Sequence, residues 1–243
     1  MAYNNLIQSL WEIPMTQLRY IALGGCNTIG EVNNIGAAYP ERVAQAKGWQ
    51  LKNYGYTMCS TREGVQFFNH KADVRTADII SIQYGGVDSW LTFKGSPFVL
   101  YYPDSPWRKF LRKLVKKLKK YARKFHWHRL VGTENVVPLE EYMANIRYII
   151  EHSQAKYILL IDTYPNLDKS REPRIREYNQ ALKALSDGKR VLYVPNYERL
   201  SLDETRNYDD QTHLSAVGQQ VVAVAIIEVI DKLSANGRLE TGK

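Results

Sequence analysis

The sequence predicts an α/β protein: one three-layer domain spanning residues 1–243, with a parallel sheet of about five strands covered by helices on both faces. Short apolar runs of strand length recur along the chain, and segments with helical spacing separate them. Glycines or Asn/Asp turns close the apolar runs. The 243 residues, 44% hydrophobic and 24% charged, suit one sizeable core or two small ones in an ordinary globular protein.

After a polar leader with a short apolar face (Leu6, Leu10, Trp11), the first strand is expected from about Leu18 to Leu23. Gly24-Gly25 then lets the backbone turn sharply. Cys26 is thereby placed at the carboxyl end of a strand, where open α/β sheets keep their ligands. Pro40 suits a first helical position, and Glu41 to Lys47 continues to a stop at Gly48. Gln50 to Tyr54 reads as the second strand, and Thr61 is the expected cap of a helix reaching about Ala72. Residues 77–84 (ADIISIQY) form a third strand stopped by Gly85-Gly86.

Residues 91–132 read as an insertion. Turn-rich Gly95-Ser96-Pro97 and Pro103-Asp104-Ser105-Pro106 precede Trp107, Phe110, Leu111, Leu114, Val115, Leu118, Tyr121, Ala122 and Phe125, which recur at helical spacing. Basic residues fill almost every gap. Eleven Lys or Arg and no acid lie between Trp107 and Arg129, so of the net charge of +8 the rest of the chain carries about −3. The alternation then resumes, with a helix over Pro138 to His152, a strand over Tyr157 to Ile161, a helix over Ile175 to Leu185, a strand over Arg190 to Val194 and a closing apolar helix after His213.

Four short blocks stand in order at the ends of these elements: Gly24-Gly25-Cys26 with Gly30 four residues on, Asn53-Tyr54-Gly55-Tyr56-Thr57-Met58, Gly85-Gly86-Val87-Asp88, and Asp210-Gln211-Thr212-His213. In these blocks, spread over the whole length apart from the insertion, the chain resembles the SGNH/GDSL hydrolase superfamily. The resemblance implies a flavodoxin-like sheet. It puts Cys26 in the position of the serine nucleophile, His213 as the base and Asp210, rather than Asp209, as the group that orients it. The chain departs from the pattern elsewhere. Gly25 replaces the Asp before the nucleophile, and Val87 replaces the Asn that donates to the oxyanion. The oxyanion glycine falls on Met58, or on Cys59 if the loop shifts by one; a main-chain N–H at Met58 would still serve. Gly86, Asn27 and Asp88 complete the expected oxyanion and substrate-binding set, Asp88 having a structural turn acid as its plainer reading.

A thiolate is more nucleophilic than a hydroxyl, and an imidazolium neighbour and a following helix N-terminus are expected to lower the Cys26 pKa. One missing oxyanion donor is worth ~3 kcal/mol, so weak ester hydrolysis is expected, and because a thioester on Cys26 is readily attacked by an alcohol or amine, acyl transfer suits the site at least as well as hydrolysis. The leading expectation is an esterase, deacylase or O-acyltransferase with a Cys-His-Asp triad, acting on a small-molecule or glycan acyl ester. A carbohydrate or cell-envelope glycan comes from the breadth of the family and from the 17 Tyr and 5 Trp. The rival is an inactive relative that keeps the fold and binds a glycan or a partner. Plainer still, Cys26 is a small buried hydrophobe, or Cys26 and Cys59 form a regulatory disulfide.

No cofactor or metal is expected: no phosphate-cradling Gly-Lys-Ser/Thr loop is present, and His126-Trp127-His128 lacks an evident third ligand. The basic helix is either a lid packed on the domain or an arm on an anionic membrane, with Trp107, Phe110, Lys113 and Lys117 facing the lipid. Nucleic acid is not an expected partner, since no recognised nucleic-acid fold accompanies the charge. Met1 to Leu6 offers no signal-peptide pattern and no run reaches the ~20 apolar residues of a membrane span. The expected location is cytoplasmic, peripheral at the inner face of the membrane if the arm reading holds.

Overall fold

A computed structural model describes residues 17–235 and 237; the leader residues Leu6, Leu10 and Trp11 lie outside this range. Along the chain run β1 (Arg19–Gly24), α1 (Cys26–Ile29), α2 (Tyr39–Lys47), β2 (Gln50–Gly55), α3 (Thr61–His70), α4 (Ala72–Arg75) and β3 (Ile79–Gln83). The insertion contributes β4 (Leu91–Phe93), α5 (Pro106–Lys124), α6 (His128–Val131) and β5 (Thr133–Asn135). Then come α7 (Leu139–His152), β6 (Tyr157–Ile161), α8 (Glu172–Lys183), β7 (Val191–Val194), α9 (Tyr197–Ser201), α10 (Glu204–Asn207) and α11 (Ala216–Ala235).

Five strands form one parallel sheet in the order β2-β1-β3-β6-β7. The period of two along each strand sorts side chains between two cores. Tyr20, Ala22, Leu159, Ile161 and Val194 join the core under α2 and α11. Ile21, Leu23, Ile80, Ile82, Ile158 and Leu160 join the core under α3, α7 and α8. Helices thus cover both faces, which is why these strands read as continuous apolar runs. The chain leaves β1 first toward β2 and later returns to β3 on the other side. That reversal opens a crevice at the carboxyl end of β1, where Cys26 begins α1.

Two local expectations are corrected. Ser60, not Thr61, precedes the first turn of α3: the Glu63 carboxylate accepts from both the Ser60 N–H (2.9 Å) and its hydroxyl (2.6 Å). Thr61 is released to donate elsewhere. The insertion is also more than a helix on a loop. Its two ends pair as an antiparallel ribbon, Leu91 opposite Asn135 and Phe93 opposite Thr133. This ribbon anchors a long excursion at its base.

The helix α5 starts where Pro106 fits the first turn and the Ser105 hydroxyl accepts from the Arg108 N–H at 3.2 Å. Arg112 ties it to the loop before it within the insertion, donating to the Leu100 carbonyl (2.9 Å) and Asp104 (2.6 Å) while lying over the Tyr101 ring, and the Tyr101 N–H joins that loop to Glu63 of α3 at 2.7 Å. Ala122 is buried, and Leu111, Val115 and Leu118 are half-buried. Trp107, Phe110, Leu114, Tyr121 and Phe125 are exposed, Trp107 at 66% and Phe125 at 60%. One edge of the apolar stripe packs on the domain and the other faces outward.

Gly55 ends β2 against α1. A Cβ there would lie 2.4 Å from the Ile29 nitrogen and 2.7 Å from the Thr28 carbonyl carbon, both backbone atoms that cannot swing aside. Gly55→Ala is therefore expected to cost about 1–3 kcal/mol, read as a lowered urea midpoint. An unchanged midpoint would mean that α1 is not held against β2.

Candidate active site

Four loops meet at the carboxyl edge of the sheet. Cys26 follows β1, Met58 and Cys59 follow β2, Gly85 to Asp88 follow β3, and Asp210 to His213 precede α11. They enclose a cleft of about 130 Å³ lined by Cys26, Met58, Gly86, Val87, Trp90 and His213, among others.

The Asp-x-x-His loop is built by its own carboxylate. Asp210 Oδ1 accepts from the Thr212 N–H (2.7 Å) and the His213 N–H (2.8 Å), and Oδ2 pairs with His213 Nδ1 at 2.6 Å. Burial disfavours the Asp210 charge, but the His213 ring and these two N–H groups outweigh it and hold the carboxyl below its usual range. Asp209 has a different task, accepting from Asn33 Nδ2 at 2.9 Å. With Nδ1 occupied, His213 has Nε2 to offer, and a ring nitrogen lies within 4.8 Å of Cys26 Sγ.

Met58 sits at φ +58°, a left-handed conformation that costs a side-chain-bearing residue about 1 kcal/mol. Its N–H donates to Cys26 Sγ at 3.2 Å. The Cys59 N–H is taken by the Tyr56 carbonyl at 3.3 Å. Both cysteines are free thiols, and Cys59 is buried.

Two residues expected at the oxyanion or substrate serve the scaffold instead. Asn27 donates to the Thr212 carbonyl (3.0 Å) and accepts from the Leu214 N–H (2.8 Å), so its amide ties α1 to the His213 loop. Fully buried Asp88 accepts from the Thr61 N–H and hydroxyl (2.9 and 2.6 Å) and from the Gly85 N–H (3.0 Å). Burial pushes its carboxyl up to about 6, against the pull of those donors. Val87 faces the cleft and supplies no donor.

The expectation of a depressed thiol pKa is overturned. Burial pushes the Cys26 thiol up to about 12; the Met58 N–H opposes this, and the carboxylate of Glu31 adds to it. The helix behind the thiol spans only four residues, Cys26–Ile29. Its left-handed cap, Gly30 at φ +76°, bends the chain so that the Glu31 N–H donates to the Cys26 carbonyl at 2.9 Å. That bend brings the Glu31 carboxylate beside Sγ and the His213 ring, all three ligand atoms lying within 4.8 Å of one another.

Sequence reasoning missed Glu31, Asn166, Trp90 and Arg171. Only Glu31 had a local signal, the glycine before it. Asn166 donates to Thr212 Oγ1 at 3.2 Å. Arg171 donates to the Gly86 carbonyl at 2.8 Å and lies 4.7 Å over the Trp90 ring. Burial pushes it down to about 10, against the attraction of Asp168, and it makes no ion pair with a described residue. Met58, Val87 and Trp90 also line a second cavity of about 610 Å³ beneath α5. Its lining includes apolar Leu91, Phe98 and Val115 and basic Arg112, Lys116, Lys119 and Arg123, and no acid among the described residues. His126 and His128 pack edge to face, and they join no group of three metal-ligating side chains among the described residues.

Residues 22–221 match the model of the GDSL-like lipase/acylhydrolase family. Among solved structures, an acetylxylan esterase from Geobacillus stearothermophilus, Axe2, is 18% identical, with 88% of this chain and 94% of that one covered at a TM-score of 0.60. Catalytic mutants of that esterase, with a serine, an aspartate or a histidine replaced, match likewise. A putative lipolytic protein of the G-D-S-L family from Desulfitobacterium hafniense DCB-2 is 15% identical, with 88% and 99% covered and a TM-score of 0.60. No curated protein matches the chain.

Because the thiol pKa is raised, alkylation of Cys26 by iodoacetamide is expected to be slow near neutrality. It should climb about tenfold per pH unit through pH 10 as the thiolate fraction grows. Glu31→Gln removes a charge that opposes the thiolate and should speed alkylation at fixed pH. Mass spectrometry of the Cys26 peptide reads both, and a rate plateau below pH 8 would contradict the neutral resting thiol.

Proposed function

Because the chain belongs to the GDSL-like lipase/acylhydrolase family, we propose that it is an acyl-group enzyme in which Cys26 is the nucleophile. The observation that carries this is the convergence on Sγ of a main-chain N–H from Met58 and, within 4.8 Å, the imidazole that Asp210 orients. In this mechanism Nε2 of His213 takes the thiol proton as Sγ attacks an ester carbonyl. Negative charge developing on the carbonyl oxygen is stabilised by the Met58 N–H. The proton then passes to the leaving alcohol, leaving a thioester on Cys26, and water or an acceptor hydroxyl releases the acyl group with His213 as base. A thioester is readily attacked by an alcohol, so transfer to an acceptor hydroxyl is as natural an outcome as hydrolysis.

The likeness to an acetylxylan esterase supports an O-acylated carbohydrate as substrate. Arg171, stacked on Trp90 at the mouth of the cleft, suits an oxygen-rich or acidic glycan. The exposed edge of α5 supports docking on an anionic membrane. Trp107, Phe110, Leu114, Tyr121 and Phe125 line it, exposed Lys113, Lys117 and Lys124 flank it, and Leu130, 84% exposed, continues it. No described helix is long and apolar enough to cross a membrane, so contact would be interfacial.

Incubation with acyl-thioester or activated-ester probes is expected to leave an acyl adduct on Cys26, lost in Cys26→Ser and slowed at least a hundredfold in His213→Ala. Glycan binding that survives both changes, with no adduct on the native protein, would instead leave a non-catalytic binding protein. Flotation with phosphatidylglycerol-containing liposomes should retain the protein, and Trp107→Ser with Phe110→Ser should release it. Failure of the native protein to float at low salt would sink the membrane reading.

A further inference from the structure

The carboxylate of Glu31 has no part in the acyl mechanism, and its position needs a reason. Its Oε2 is buried without a hydrogen-bond partner among the described residues. The carboxylate has a hydrogen bond with the Cys26 thiol, and a buried oxygen beyond it without a donor is costly unless something positive meets it. No lysine or arginine does so: Glu31 forms no ion pair with a described residue. What stands opposite is a thiol and an imidazole, with one ligand atom of each of the three groups within 4.8 Å of the others.

We propose that Cys26, Glu31 and His213 form a binding site for a borderline-soft divalent cation of the zinc class. Thiolate, imidazole and carboxylate are the three ligand types zinc prefers, and three protein ligands leave a fourth position open. Tetrahedral bonds of about 2.0–2.3 Å put ligand atoms about 3.5 Å apart, so the three groups need close by only about 1 Å. The imidazole is already oriented as a metal ligand would be, its Nδ1 held by Asp210 and Nε2 free to coordinate. Binding releases the Cys26 thiol proton to solvent. A sulfur lone pair, a Glu31 oxygen lone pair and the Nε2 lone pair form the three bonds, and the dication is neutralised by thiolate and carboxylate. No oxidation change is involved.

The site has a direct consequence for the proposed chemistry. The cation occupies both the nucleophile and its base, so metal-bound protein is closed to acylation through Cys26. Cation and acyl group compete for one sulfur. His126 and His128 are not part of this site, and against the expectation of no metal the ligands come from the block-one turn and the His213 loop.

Cobalt(II) titration of EDTA-treated full-length protein tests this without any substrate. A near-ultraviolet thiolate-to-cobalt charge-transfer band is expected at one equivalent, displaced by zinc. Cys26→Ser and His213→Ala should abolish it, and Glu31→Gln and Asp210→Asn should weaken cobalt binding about 10- to 100-fold, circular dichroism confirming that each variant is folded. Zinc should protect Cys26 from iodoacetamide and EDTA should restore labelling. No charge-transfer band at millimolar cobalt, or stoichiometric binding undiminished in Cys26→Ser, overturns the site. Acyl-adduct formation on the EDTA-treated protein is scored separately, so the metal site and the acyl chemistry stand or fall on different readings.

Discussion

The site depends on one side-chain amide. Asn27, the residue after the thiol, donates to the Thr212 carbonyl and accepts from the Leu214 N–H, across more than 180 residues of chain. A single planar group thereby fixes the spacing between the nucleophile turn and the loop carrying His213. Gln219 of α11 backs it from behind, donating to the Asn27 carbonyl at 3.0 Å and accepting from the Tyr39 N–H at 2.9 Å. Both side chains are satisfied at donor and acceptor, which makes a partly buried polar network stabilising rather than costly. Without it, the Asp210–His213 pair would still form within its own loop but would have no fixed partner.

Around that clamp the electrostatics are unusual for a cysteine nucleophile. Burial and Glu31 push the thiol pKa up, against the Met58 N–H and the Cys26 backbone, which favour the thiolate. A serine at this position would work in the same way, as a neutral group that loses its proton to histidine during attack. The cysteine therefore sits in a site whose logic is that of a hydroxyl nucleophile. The carboxylate that disfavours the thiolate also belongs to the proposed cation site, which links the acyl and metal readings.

The insertion contributes on a different scale. Its ribbon, β4 with β5, closes the base of an excursion over residues 91–135 whose helix is tied through Arg112 to the loop that precedes it. Half of the apolar stripe shields a basic-rimmed cavity that shares Met58, Val87 and Trp90 with the catalytic cleft. The other half is left outside. The two edges of the helix thus differ, one against the domain and one exposed to solvent.

The periodicity of apolar residues determined the α/β class, the five strands and the amphipathic helix, because burial on two faces or one leaves its spacing in the chain. Block order along the chain placed Cys26, Asp210 and His213 at strand and helix ends. Short elements escaped: α1, α4, α9, α10 and the ribbon are too brief to show a period. Glu31, Arg171 and the duties of Asn27 and Asp88 escaped for another reason. A polar side chain's partner is set by which loops the sheet order brings together, and nothing in Asn27 itself names Thr212 or Leu214. So the sequence alone determined the layers and the candidate nucleophile, base and orienting acid. Only the tertiary structure decided that the thiol rests protonated beside a second carboxylate, because burial and a neighbour's charge exist only once the chain has folded back on itself.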